Sequence, residues 1–150
     1  MGRSDVRVNS GFGRILVALY ALFALAATGR SVLQISQTWP HPALPYLLSA
    51  LAAVVYIVAT VALGRGGDRN ARIALYTISF ELLGVIAVGI WSYADGSAFV
   101  AQGQAGDTTV WAKFGQGYGY VPLLLPILGL WWLRHTRRDV PAGAGRTDER

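Results

Sequence analysis

The chain has no cysteine, one methionine and two histidines among its 150 residues. Without a thiol there is no disulfide framework, no thiolate metal site and no cysteine nucleophile, and nothing marks a redox compartment. Charge is scarce too: Asp, Glu, Lys and Arg make up 14% of the residues, whereas soluble domains carry about 25%. Internal repeats are absent, as are HExxH and P-loop signatures and clustered carboxylates, so no cofactor and no protein-built metal site is expected.

What is there is apolar and segregated. Hydrophobic residues make up 53% of the chain and fall into long runs. A helix rising about 1.5 Å per residue needs roughly 20 apolar residues to cross a hydrocarbon core of about 30 Å. Four stretches come close, at about 13–35, 46–63, 73–93 and 118–133. The first is the least regular, with a weaker extension beyond Arg30. Prolines 40, 42 and 45 separate it from the second, because a ring without an N–H cannot sit inside a continuous helix. The fourth is the shortest and carries Pro122 and Pro126. The fold class predicted is an all-α, polytopic transmembrane bundle of four helices filling residues 1–138, with 139–150 a disordered cytoplasmic tail of Pro, Gly and charge.

Arginine placement predicts the orientation. Arg3, Arg7 and Arg14 precede the first stretch; Arg65, Arg69 and Arg72 lie between the second and third; Arg134, Arg137, Arg138, Arg146 and Arg150 follow the fourth. Only Arg30 and Lys113 are left for the other side. The positive-inside rule then puts both termini in the cytoplasm of a multi-pass plasma-membrane protein. The formal charge of +5 is thus a matter of topology, and no nucleic-acid partner is expected. His41 and His135 fall on opposite faces. Trp39, Trp91, Tyr93, Trp111 and Phe114 gather toward the outer interface and Trp131 and Trp132 toward the inner one, the belts expected of amphipathic rings. A competing reading makes residues 1–26 a signal peptide, with a basic start to Arg14, an apolar centre at Ile15 to Phe23 and Ala24-Leu25-Ala26 as cleavage site. Against it, the apolar pattern resumes after Arg30, and an even number of crossings suits the basic tails.

Glu81 is the foremost candidate site residue, since a carboxylate inside a spanning helix is expensive. Counted from Arg72, it lies roughly 13 Å deep; the same arithmetic puts Tyr20 near 10 Å and Tyr56 and Pro126 near 12 Å. These are its expected neighbours. Glu81 then either accepts from a tyrosine hydroxyl or, protonated, donates to the Pro122 carbonyl that Pro126 leaves without its helical donor. One reading makes it a proton relay or cation site, the other a packing contact. Arg30, about 25 Å from the inner face, either snorkels to the outer headgroups or reaches across some 12 Å of depth toward Glu81.

The connection 94–117, with Asp95, Asp107 and Lys113, is the one segment long enough for a small extramembrane feature, and Phe114-Gly115-Gln116-Gly117-Tyr118-Gly119-Tyr120 is expected to be a flexible lead-in to the fourth helix. The run from Gly64 to Arg69 is expected to be a short turn whose arginines meet anionic lipid. Small residues at Ala18, Ala21, Ala24 and Ala27, at Ser49 and Ala53, and at Gly84 and Gly89 permit close helix approach, within a bundle or between copies.

With these segments in place, the stretch Leu19-Tyr20-Ala21-Leu22-Phe23-Ala24-Leu25-Ala26-Ala27-Thr28-Gly29-Arg30-Ser31, residues 46–63, Glu81-Leu82-Leu83-Gly84-Val85 and Tyr120-Val121-Pro122-Leu123-Leu124-Leu125-Pro126 resemble a group of small four-helix integral membrane proteins of high-GC actinobacteria. That resemblance implies a membrane bundle and carries neither a biochemical role nor site residues. Three functions stay open. The first is a non-enzymatic accessory, structural or partner-binding membrane subunit, with the lipid bilayer, a second copy or a larger membrane complex as partner. The second is an oligomeric small-solute or proton-coupled transporter or channel using Glu81. The third is a membrane enzyme acting at the outer loop through Asp95 or Asp107.

Overall fold

The computed structural model describes residues 11–40, 43–99 and 109–138 of the chain. Among them there is no strand: the fold is all-helical, with α1 at Gly11–Thr38, α2 at Leu44–Arg65, α3 at Gly67–Ala94 and α4 at Val121–Arg138, and 3-10 turns at Gly96–Phe99 and Ala112–Tyr118. Three helices, α1, α2 and α3, are long and apolar enough to cross a membrane. α4 falls outside that set because its 18 residues include Arg134, Arg137 and Arg138.

The distribution of side chains fits a chain solvated by lipid. Large aliphatic residues point outward: Leu25 is 74% exposed, Leu83 67% and Val32 64%. Small ones point inward, with Ala24, Ala27, Ala52, Ala53, Ala59, Ala62, Ala71 and Ala74 all buried. In water the opposite sorting would be favoured. Among lipid tails an exposed leucine costs nothing, and helices associate through the close backbone approach that small residues allow. α2 is the centre of the arrangement, with α1 on one side and α3 on the other; α4 packs on α3 and meets α1 only lightly. Of the alanines read as a packing stripe on α1, Ala24 and Ala27 are buried, whereas Ala18 faces outward.

Helix boundaries depart from the apolar runs for identifiable reasons. α1 continues through Arg30 to Thr38 without a break. α2 begins at Leu44, earlier than the prolines suggest, because Pro45 sits in the first turn, where its missing N–H has no helical acceptor anyway. α3 starts at Gly67, six residues before its apolar stretch, so the run from Gly64 to Arg69 is helix rather than turn apart from Gly66. Asp68 lies in that first turn, where a negative charge complements the helix dipole, and Asn70 Nδ2 donates to the Gly66 carbonyl at 2.8 Å. α4 begins at Val121, later than expected, and runs on into its arginines.

The largest departure lies between α3 and α4. Gly129 of α4 rests against Ile78 of α3, and α4 runs antiparallel to α3. Counted back to Val121, α4 therefore starts about 12 Å short of the Ala94 end of α3. Residues 109–120 fill that gap. Thr109, Val110, Trp111 and Ala112 are buried, so Trp111 is a core side chain and not part of an interfacial belt. Trp132 is buried as well, leaving Trp131 as the exposed member of that pair. The expected flexible lead-in is instead a fixed turn, with Lys113, Phe114 and Gly115 all at positive φ. Residues 1–10, including Arg3 and Arg7, lie outside the described residues, as do His41, Pro42, Asp107 and the tail 139–150.

Candidate functional site

Three buried polar side chains meet at mid-bundle. Glu81, at the midpoint of α3, Tyr20 of α1 and Tyr56 of α2 each have 0% exposure. The Tyr20 hydroxyl donates to Glu81 Oε2 at 2.8 Å. The Tyr20 and Tyr56 rings lie 6.2 Å apart between centroids, and Phe23 packs on Tyr56 at 5.7 Å. Tyr20 and Tyr56 therefore stand beside Glu81 as their depths along the helices predict. Of the two partners considered for Glu81, the structure supplies the tyrosine hydroxyl. Glu81 Oε1 has no hydrogen-bond partner among the described residues.

Arg30 is not drawn to this carboxylate. Its Nη1 donates to the Tyr118 hydroxyl and its Nε to Gln34 Oε1 at 3.3 Å, one turn along α1. Tyr118 in turn meets Phe23 edge-on at 6.2 Å, an aromatic step that links Arg30 to the cluster.

Trp111 completes the cluster, and sequence reasoning missed it. Its Nε1 donates to the Tyr56 hydroxyl at 3.2 Å. The ring reaches that position because α3 has no side chain at Gly84: a Cβ there would come within 2.8 Å of Trp111 Cζ3. Gly89 does the same for Phe114, where a Cβ would lie 2.4 Å from the ring. Ser92 Oγ fixes the turn between these two aromatics, accepting from the Lys113 backbone N–H at 2.7 Å while donating to the Gly89 carbonyl at 2.8 Å. Glycines 84 and 89, read as helix-approach positions, are thus sockets filled by aromatic rings of the same chain. The available signal was that both share a face of α3 with buried Glu81, Val85, Val88 and Ser92. Positive φ at Lys113 and Phe114 costs on the order of 1–3 kcal/mol each, which the two seated rings and the Ser92 bond offset.

Chemically, a lone carboxylate beside two tyrosines can bind a proton or a small cation, or it can cross-link helices. Among the described residues no three His, Cys, Asp or Glu side chains group to hold a metal. Asp95 is exposed and is occupied in capping the turn after α3, its Oδ1 accepting from the Ser97 backbone N–H at 3.2 Å and from the Ser97 hydroxyl. Comparison of the chain with protein-family models, with curated proteins and with solved structures finds no match.

Proposed function

We propose that the chain is a four-crossing membrane protein with both termini in the cytoplasm, acting without catalysis as an accessory or partner-binding subunit. The resemblance to small actinobacterial membrane bundles and the arginine placement agree with that topology, with α4 as the fourth crossing and residues 109–120 as a re-entrant segment from the outer side. One observation carries the functional half of the reading: the polar cluster is sealed. Glu81, Tyr20 and Tyr56 have no exposed surface, and neither of the two grooves described on the protein is lined by any of them. A relay or permeation path needs water or solute at its ionisable group, whereas a hydrogen bond between helices needs only closure.

A transport reading is favoured by a different observation, the unpartnered Oε1 of Glu81, since an unmet buried acceptor is a place for a proton or cation to arrive. Carbodiimide labelling of Glu81 in the full chain, with Glu81→Gln as the unlabelled control, separates the two. The accessory reading expects an inert carboxyl, and co-purification with a larger complex or a second copy when membranes are dissolved in mild detergent. Labelling that titrates with pH and is blocked by an added ion would replace it with the transport reading, in which Glu81→Gln abolishes flux in vesicles while leaving expression intact.

A further inference from the structure

We infer that the groove between α3 and α4 is a binding site for a phospholipid with an anionic headgroup. The inference rests on the membrane reading above and adds a ligand to it. The groove has a volume of about 380 Å³ and is lined by Leu82, Ile127, Leu130, Trp131, Arg134 and His135. Its two ends differ in kind. From Leu82 and Ile127 through Leu130 the walls are aliphatic; beyond Trp131 they become Arg134 and His135. The seven steps from Ile127 to Arg134 span about 10 Å of helix, so a molecule filling the groove has an apolar body and a negatively charged end. An amphiphile with phosphate at its head meets both requirements.

The polar end is built in advance. The Trp131 and His135 rings stack at 5.4 Å with an interplanar angle of 10°, and Phe12 of α1 meets Trp131 edge-on at 5.9 Å. That sandwich fixes an amphipathic plane where headgroups begin. Arg134 is exposed, and no carboxylate pairs with it among the described residues. Its planar fork suits two phosphate oxygens at once. The arginine-rich end of α4 is the cytoplasmic end in the proposed topology, where anionic lipids concentrate.

The test uses the full chain in bilayer discs holding equal amounts of phosphatidylglycerol and phosphatidylcholine, followed by mild detergent extraction and mass spectrometry of the lipid that stays bound. Wild type is expected to retain phosphatidylglycerol about fivefold over phosphatidylcholine, the scale of one well-placed arginine. Arg134→Gln should abolish that preference. Ile127→Trp, at a position 46% exposed, fills the apolar half while leaving Arg134 in place and should release lipid of both kinds. Arg65→Gln removes an exposed arginine at the same end of the bundle and should change nothing. Absence of a preference in wild type, or an equal loss in Arg65→Gln, would overturn the site in favour of diffuse charge attraction. Failure of the membrane reading looks different: the chain would then wash out of membranes in alkaline carbonate before any lipid is compared.

Discussion

The α1–α2 side of the bundle and the α3–α4 side meet the same requirement by different means. α1 and α2 pack directly on each other and bury small residues, Ala24, Ala27, Ala52 and Ala53 with Ser31 and Ser49, whose hydroxyls bond back to carbonyls of their own helix. Nothing but helix is needed there. On the other side α4 is too short to match α3, and non-helical backbone at 109–120 takes the missing length. Backbone of that kind persists in an apolar surround only where protein covers it. Trp111 and Phe114, seated in glycine sockets, supply the cover. The comparison teaches that Gly84 and Gly89 of α3 serve side-chain insertion, while the buried alanines of α1 and α2 serve helix contact.

Glycine replacement breaks this difference most directly. Gly89→Val forces Phe114 out of a site where even an added Cβ would overlap the ring, and overpacking of this order costs about 1–3 kcal/mol or somewhat more. We expect the largest fall in thermal midpoint in detergent, together with new access of a soluble quencher to Trp111 as the turn lifts away. Ala52→Val, at a buried position of α2, should destabilise comparably without exposing Trp111. Equal quenching in both variants would mean that the two sides unfold as one and that the distinction has no energetic content.

The next effect is smaller and falls on a contact between the two sides. Glu81→Leu removes the acceptor of the Tyr20 hydroxyl and leaves a buried donor unmet, at about 1–3 kcal/mol. Glu81→Gln keeps an acceptor oxygen and should cost less than half as much. Thermal unfolding of the two variants in the same detergent decides the point. Identical losses would show that the hydrogen bond carries no weight and that only the shape of the side chain matters.

How far the sequence reveals all this also divides along the two sides. Three spanning-length helices were legible from runs of apolar residues, and Glu81 with Tyr20 and Tyr56 from counting depth at a fixed rise per residue. Both inferences use helix periodicity, which is local. The polar first turns of α3 escaped because an apolar-run criterion is blind to helix that carries Asp68, Arg69 and Arg72. Trp111 and Tyr118 escaped for a deeper reason. Their positions depend on a left-handed turn at Lys113 and Phe114, two residue types with no preference for that conformation, held by tertiary contacts to Gly84, Gly89 and Ser92. An aromatic residue between two apolar helices reads as an interfacial anchor unless the sockets that receive it are already known.

The smallest expected effect probes where the polar cluster ends. Tyr118 follows directly on the inserted turn and accepts from Arg30 of α1, so it is a further place where the two sides touch. It is only half-buried, and contacts of this sort between helices average about 0.6 kcal/mol. Tyr118→Phe keeps the ring against Phe23 and deletes the hydroxyl alone. Because Arg30 also holds Gln34 one turn away, its guanidinium retains a partner, and the shift in thermal midpoint should be below that of Glu81→Gln. A loss as large as that of Glu81→Leu would mean that Arg30, Tyr118, Tyr56 and Glu81 act as one polar unit through the intervening Phe23. The two sides would then be joined by a continuous core rather than at separate contacts, and the separation drawn between helix contact and ring insertion would stop at α2.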